Sequence, residues 1–205
     1  MIKNIIFDWS GVIKDAGLSH LCVVNKIFET FGVKEITLDE MKESWVQPYM
    51  LFYKKYIPDI TFEEEQAIYA KVVLDCGESN AYPGIIALIK KFKMANMKMV
   101  VLSSDLPDTL LPELERFGLK GLFKEIITNI HDKTDSVPEI IKKHNFNQDE
   151  TVFIGDSNHE VEAGKKANIK TIAVTWGFST EKNLIATNPD FLVHNLEELD
   201  NAILQ

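Results

Sequence analysis

Four short segments of the chain bring carboxylates, hydroxyls and an ammonium group to the ends of apolar runs. They are Asp8-Trp9-Ser10-Gly11, Ser103-Ser104-Asp105, His131-Asp132-Lys133 and Gly155-Asp156-Ser157-Asn158-His159-Glu160. Carboxylates can supply a nucleophile and the oxygen ligands that a hard divalent cation prefers. Hydroxyls and a lysine can bind an anion. Together the segments predict a site where a cation and an anionic group meet a carboxylate nucleophile.

Each segment also has an ordinary structural interpretation. An aspartate after a strand is common in turns, Ser103 and Ser104 could cap the next helix, and Lys133 alone could be a solvated side chain. Asp156 with Glu160 could form a capped helix with an acidic first turn. The recurrence of such groups at four successive strand ends favours the functional interpretation.

The elements that must position these groups are six short, β-branched apolar runs with helical patterns between most of them. Near-continuous apolar runs are typical of strands that are buried on both faces, as in a parallel sheet. The alternation predicts an α/β fold with a doubly wound, Rossmann-like parallel sheet. Ligands bind such a sheet beyond the carboxyl ends of its strands. The predicted strands are 4–7, 99–102, 125–128, 151–154, 171–174 and 190–193.

A helical stretch interrupts the alternation after the first strand. An apolar stripe at helical spacing runs over 21–31, and Thr-x-x-Glu capping boxes begin at Thr37 and Thr61. The acidic run 63–65 is interpreted as a solvated helix start. The expected division is a core domain of residues 1–12 and 83–205 and a small helical cap domain of residues 13–82.

Composition limits the classes of partner. The 205 residues are 45% hydrophobic and 26% charged, as in globular proteins, and the formal net charge of −9 predicts no binding to nucleic acid or anionic membranes. The absence of a signal-peptide pattern or membrane-length apolar run predicts a cytoplasmic protein. Cys22 and Cys76 are interpreted as buried thiols. Since Arg116 is the single arginine, an anion site must use lysine, hydroxyls and backbone N–H groups.

Taken together, these motifs resemble those of the haloacid dehalogenase superfamily of hydrolases, over nearly the whole chain. The insertion after the first motif is similar to the type 1 cap of that superfamily. The loop Thr175-Trp176-Gly177-Phe178 looks like that of phosphoglycolate-phosphatase relatives. The motifs that carry the resemblance are Asp8-Trp9-Ser10-Gly11, Tyr82-Pro83-Gly84, Ser103-Ser104, Lys133 and Gly155-Asp156-Ser157.

The resemblance implies a nucleophile and a metal site. Asp8 would attack phosphorus to give an aspartyl-phosphate that water then hydrolyses. Mg²⁺ would be held by the Asp8 carboxylate, the Ser10 carbonyl and Asp156, with Glu160 near enough to ligate or to orient a bound water. A small phosphorylated metabolite is the expected substrate.

The resemblance also implies how the anion would be bound. Lys133 would neutralise both the nucleophile and the transferring group. The Ser103 hydroxyl and the Ser104 N–H would hold phosphate oxygens, and Gly11 is assigned to substrate binding with them. Catalysis of this kind consists mainly of positioning and charge stabilisation.

One departure from the superfamily pattern bears on catalysis. Most of its phosphatases have a second aspartate two residues after the nucleophile, which protonates the leaving group and later activates water. Ser10 stands there in this chain. General acid–base help is worth about 10²–10⁴-fold, and an ordinary hydroxyl supplies it poorly near neutral pH. Glu160 also replaces the commoner aspartate, which lengthens its reach by one methylene.

Three explanations of Ser10 stay open at this point. The protein could be a phosphatase whose leaving group needs little protonation or whose proton comes from elsewhere, His159 included. The segment Asp8-Trp9-Ser10-Gly11 is also similar to the start of phosphonoacetaldehyde hydrolases, which cleave a carbon–phosphorus bond through a cap lysine. The cap lysines here include Lys42, Lys54 and Lys55. Third, the chain could be a non-catalytic relative that binds a phosphometabolite or a partner protein.

Overall fold

The computed structural model describes residues 1–204, at whose centre lies a six-stranded sheet of parallel strands. Its strands are β1 (Asn4–Phe7), β2 (Lys98–Leu102), β3 (Glu125–Ile127), β4 (Thr151–Gly155), β5 (Lys170–Val174) and β6 (Phe191–Val193). They lie in the order β3-β2-β1-β4-β5-β6, with every neighbouring pair parallel. The predicted fold class is confirmed, and no predicted strand end is displaced by more than one residue.

Helices cover both faces of the sheet because successive strand residues point to opposite sides. Ile5 and Phe7 of β1 pack into one hydrophobic cluster, and Ile6 packs into the other. The first cluster takes in α5 (Ile85–Met94), α6 (Pro107–Arg116) and α10 (Leu196–Leu204). The second takes in α7 (Lys133–His144) and α8 (Asn158–Lys166). The short α9 (Glu181–Ala186) precedes β6.

The segment between β1 and α5 is helical and has an apolar cluster of its own. It contains α1 (Gly17–Thr30), α2 (Leu38–Ser44), α3 (Met50–Tyr56), α4 (Phe62–Val72) and a 3₁₀ turn at Val73–Cys76. Both predicted capping boxes are confirmed, because Thr37 and Thr61 each exchange hydrogen bonds with the glutamate three residues on. The division into two domains at residues 12/13 and 82/83 stays a prediction. None of the helices in residues 1–204 is long and apolar enough to cross a membrane.

The interpretation of the two cysteines as buried thiols is wrong. Cys22 on α1 and Cys76 at the end of the 3₁₀ turn form a disulfide, with their Cα atoms 5.6 Å apart. Their sequence separation of 54 hid the contact, which arises because α1 packs against α4 and the turn that follows it. Disulfides are rare in the reducing cytosol, so the cytoplasmic location also stays a prediction.

Removal of the disulfide should destabilise the helical segment. A crosslink over this span restricts the unfolded chain, so replacing both cysteines by serine should lower the free energy of unfolding by about 3–4 kcal/mol. Urea unfolding followed by circular dichroism measures the loss. Wild-type protein in dithiothreitol is the matched control and should lose the same amount. Two titratable thiols in the unreduced native protein would contradict the crosslink.

Candidate active site

The strand order brings the first and fourth polar segments side by side. β1 and β4 are neighbours, and the chain leaves β1 in one direction across the sheet and β4 in the other. Asp8 follows β1 directly, and Asp156 follows β4. The gap between two strands whose connections diverge is where ligands bind open α/β sheets. The two aspartates therefore meet at the switch point of the sheet.

Lys133 joins the carboxylates into one buried cluster. Its ammonium group lies 2.7 Å from Asp8 Oδ1 and 2.7 Å from Glu160 Oε1, and the residue is only 4% exposed. Carboxylate oxygens of Asp8, Asp156 and Glu160 lie within 4.8 Å of one another. The structure thus brings together four of the residues named from the sequence. Three acidic groups and one cation share a site from which water is largely excluded.

Burial and mutual repulsion shift the proton affinities in this cluster. Burial raises the pKa of Asp8 to about 7, although Lys133 opposes the rise. Burial, together with the charges of Asp8 and Glu160, raises the pKa of Asp156 well above its usual range. Burial alone would also raise the pKa of Glu160, but Lys133 and His159 hold it below its ordinary value. A single lysine does not compensate three buried negative charges.

A divalent cation fits this donor set. The available groups are oxygens, which Mg²⁺ prefers, and the surplus of buried negative charge would be offset by a +2 ion. Asp8 and Asp156 are the direct carboxylate candidates, and the Ser10 carbonyl follows Asp8 two residues along the chain. Glu160 already accepts hydrogen bonds at both oxygens, from Lys133 at Oε1 and from the Ser157 hydroxyl and N–H at Oε2. Glu160 therefore caps the start of α8 through Ser157 and at the same time pairs with Lys133 in the cluster.

Two glycines make room for Asp156. A Cβ on either Gly11 or Gly177 would lie 2.1 Å from Asp156 Oδ2, and Gly11 also has a φ of +87°. The same oxygen accepts a 2.6 Å hydrogen bond from the Phe178 N–H. The Gly11 N–H donates to the Lys14 carbonyl, so the assignment of Gly11 to substrate binding stays a prediction. Its observed role is to admit the Asp156 carboxylate.

The Ser10 side chain is held by a carboxylate from the next strand end. Its hydroxyl donates a 2.6 Å hydrogen bond to Asp105 Oδ2. The Asp105 N–H in turn donates to the buried Ser103 hydroxyl at 3.0 Å. Ser104 and Asp105 line a pocket that also contains Asp8, whereas Ser103 is not among its lining residues. Neither serine caps α6, which begins after Leu106 without a side-chain cap. Ser104 and Asp105 therefore reach the pocket, and the assignment of Ser103 and Ser104 to phosphate binding stays a prediction.

Several pocket residues were not found from the sequence. The pocket beyond Asp8 is lined by Asp105 and by residues of the helical segment, among them His20 and Glu65. The interpretation of Glu65 as solvated is wrong, because the residue is 2% exposed. The acidic run 63–65 gave no signal of this burial. His159 does not line the pocket, and its Nε2 accepts the backbone N–H of Lys133.

Comparison with known proteins identifies the family of this site. The family model described as "Haloacid dehalogenase-like hydrolase" matches residues 5–174. The chain therefore belongs to the haloacid dehalogenase-like hydrolase family. The resemblance seen in its motifs is therefore confirmed. This range includes all four polar segments around which the site is built.

Relatives of similar length are named as phosphatases. The chain is 23% identical to a phosphoglycolate phosphatase of Synechococcus elongatus, covering all of this chain and 98% of that protein. It is 22% identical to a pyrophosphatase PpaX of Listeria monocytogenes, and the match covers 97% of this chain and 94% of that protein. The crystal structure of a predicted phosphatase from Clostridium acetobutylicum has the same fold, with a TM-score of 0.81 and 23% identity. The match covers 100% of this chain and 99% of that one.

The buried charge should make the metal-free protein less stable as the pH rises. A carboxyl whose pKa is raised by folding stabilises the fold below its unfolded pKa and loses that effect as the pH passes its folded pKa. From Asp8 and Asp156, the free energy of unfolding in EDTA should therefore fall between about pH 5 and pH 7. Mg²⁺ should raise the melting temperature most at the upper end. Calorimetry in EDTA and in Mg²⁺ measures both.

The variant Asp156→Asn separates this effect from general stability. Without metal at pH 7.5 it should melt at a higher temperature than wild type, because one buried charge is gone. Mg²⁺ should no longer stabilise it. A wild-type melting temperature that does not respond to Mg²⁺ would contradict the site.

The close approach of Gly177 to Asp156 gives an independent test. The variant Gly177→Ala should displace the carboxylate and weaken Mg²⁺ binding, measured by calorimetric titration. Gly17→Ala is the matched control, since its Cβ would meet only Leu38 Cδ1, at 3.7 Å. Equal affinities in the two variants would show that Asp156 does not bind the metal.

Proposed function

We propose that this protein is a Mg²⁺-dependent phosphatase that acts on a small phosphorylated metabolite through an aspartyl-phosphate on Asp8. The observation that carries the proposal is the buried cluster of Asp8, Lys133, Asp156 and Glu160 at one end of a pocket. The family and the names of its relatives support the same reaction class.

The hydrogen bonds of Asp8 distinguish its two oxygens. Oδ1 accepts from the Trp9 N–H and from the Lys133 ammonium, each at 2.7 Å. Among residues 1–204, Oδ2 has no hydrogen-bond donor, and we assign to it the attack on phosphorus. The new Asp8–phosphorus bond forms as the bond from phosphorus to the leaving oxygen breaks, and the leaving oxygen takes up a proton from solvent. Lys133 balances the negative charge that gathers around the transferred group.

Hydrolysis of the aspartyl-phosphate completes the cycle. Water attacks phosphorus, the Asp8–phosphorus bond breaks, and the carboxylate is restored with release of inorganic phosphate and a proton. Ser103 and Ser104 would hold phosphate oxygens beside the nucleophile. Mg²⁺ held by Asp8, the Ser10 carbonyl and Asp156 would offset the negative charge of both the cluster and the phosphoryl group.

The alternative of carbon–phosphorus cleavage finds no support in the pocket. Lys42, Lys54 and Lys55 do not line it, and Lys55 donates instead to the Ser44 hydroxyl. The lysines that do line it are Lys14 and Lys133, and both are paired with carboxylates. An imine-forming lysine must be available as a free amine.

Replacement of the nucleophile should abolish catalysis. Asp8→Asn should release no phosphate from p-nitrophenyl phosphate with Mg²⁺, whereas wild type should do so and lose the activity in EDTA. Asp135→Asn, an exposed aspartate on α7, is the control and should retain wild-type rates. Wild-type protein that binds Mg²⁺ and phosphate without turnover would indicate the non-catalytic alternative.

The serine at position 10 predicts a dependence on the leaving group. An aryl oxide leaves without protonation, whereas an alkoxide requires a proton. Wild type should therefore hydrolyse p-nitrophenyl phosphate much faster than glycerol 3-phosphate. Because Ser10 touches Asp105, a new aspartate there needs that neighbour neutralised. Ser10→Asp combined with Asp105→Asn should raise kcat for glycerol 3-phosphate by about tenfold or more.

The control for that gain is Asp105→Asn alone, which should leave the difference between aryl and alkyl esters in place. A double variant that accelerates both esters equally would show that leaving-group protonation is not the defect.

A further inference from the structure

The part of the pocket that faces the helical segment contains a buried carboxylate with a free oxygen. Glu65 lies on α4, is 2% exposed and lines the same pocket as Asp8. Its Oε2 accepts hydrogen bonds from the Tyr49 hydroxyl at 3.2 Å and the Gln66 amide at 2.8 Å. Its Oε1 accepts none from residues 1–204. A hydrogen-bond acceptor is therefore held in place in the pocket that also contains the nucleophile.

The described lining residues of the pocket offer Glu65 no unpaired cationic side chain. Among the described lining residues, the lysines are Lys14 and Lys133. The Lys14 ammonium lies 2.7 Å from Glu113, and Lys133 is committed to Asp8 and Glu160. The pocket therefore has no lysine free to pair with a second negative charge on a substrate.

The other basic side chains do not supply one either. His20 and His131 line the pocket, but burial lowers the pKa of His20 to about 4 and also lowers that of His131. Both are therefore neutral near pH 7. The single arginine, Arg116, lies outside the lining and donates to the Ser79 carbonyl.

An anionic leaving group would thus be placed against Glu65 and Asp105 without a counter-ion. Burying an unpaired charge beside a like charge is strongly unfavourable. The names of two relatives, phosphoglycolate phosphatase and pyrophosphatase, refer to substrates whose leaving portion is anionic. The charges in this pocket disfavour such substrates.

The remaining groups suit hydroxyls better than an ammonium ion. Burial raises the pKa of the Tyr69 hydroxyl, which stays a neutral donor and acceptor beside the acidic groups. Ser19 and Ser79 add two hydroxyls that share a 2.6 Å hydrogen bond. An ammonium ion offers only donors, whereas a polyol matches a mixture of donors and acceptors.

We propose that the leaving group is an uncharged, polyhydroxylated alcohol, so that the substrates are sugar or polyol phosphates, with Glu65 accepting a substrate hydroxyl at Oε1. This inference rests on the proposed phosphatase function. Trp45 and Phe178, whose rings are 5.3 Å apart, line the same pocket and provide an apolar wall for the carbon skeleton.

Binding to the inactive Asp8→Asn protein tests the proposal without turnover. Calorimetric titration with saturating Mg²⁺ should give a Kd for glycerol 3-phosphate about tenfold below those of phosphoglycolate and phosphoethanolamine, which are of similar size. Sorbitol 6-phosphate should bind more tightly than all three. Inhibition constants against p-nitrophenyl phosphate in wild type should follow the same order, which covers a failure of Asp8→Asn to fold.

The variant Glu65→Gln tests the residue. It should weaken glycerol 3-phosphate binding about tenfold, strengthen phosphoglycolate binding and leave inorganic phosphate binding within about twofold. A general loss of structure would weaken the binding of both ligands, so it cannot explain weaker binding of glycerol 3-phosphate together with stronger binding of phosphoglycolate. Glu63→Gln, a neighbouring exposed glutamate of the same helix turn, is the matched control and should change none of the three.

The outcomes separate the two proposals. Tighter binding of phosphoglycolate than of glycerol 3-phosphate would overturn the polyol assignment. Tighter binding of phosphoethanolamine would also overturn it, because that result would reveal a cation subsite. Equal effects of Glu65→Gln on all ligands would remove Glu65 from the subsite. Absence of phosphate release from p-nitrophenyl phosphate would overturn the phosphatase, while the order of Kd values would still decide the subsite.

Discussion

The concentration of buried negative charge where the ends of β1 and β4 meet is the constraint on which the rest of this structure depends. Carboxylate oxygens of Asp8, Asp156 and Glu160 lie within 4.8 Å of one another, and the single ammonium group among them, that of Lys133, contacts only Asp8 and Glu160. Such an arrangement costs folding free energy and is expected where function requires it. A bound divalent cation and a phosphoryl group would turn this cost into binding energy. The local backbone is adapted to it, since Gly11 leaves space that a side chain would fill.

The pocket next to this cluster also lacks an unpaired positive charge among its described lining residues. Every cation that reaches it is held by a carboxylate, and its histidines are neutral because they are buried. The Ser10 hydroxyl donates to Asp105, so the carboxylate next to position 10 belongs to the strand end that follows β2. In the proposed reaction, the serine at position 10 and the lack of an unpaired lysine among the described lining residues both concern where negative charge lies relative to the leaving oxygen.

Much of the fold and part of the site follow from local patterns. The six strands were predictable because buried parallel strands are continuous apolar runs, and Thr37 and Thr61 marked helix starts by a spacing rule. Asp8 and Asp156 could be predicted to meet because the carboxyl ends of parallel strands share one edge. Lys133 was named from its segment after the third strand, and the family resemblance then gave it a role. These predictions use only periodicity, strand direction and the chemistry of short motifs.

Contacts between distant segments were decided by the tertiary structure alone. The pairing of Cys22 with Cys76 depends on how α1 packs against the turn after α4. The burial of Glu65 depends on which face of α4 meets the pocket, and nothing in an acidic run of three residues specifies that. The bond from Ser10 to Asp105 likewise joins two strand ends 95 residues apart. Sequence determines which groups each element presents, whereas packing decides which of them share a cavity and lose their water.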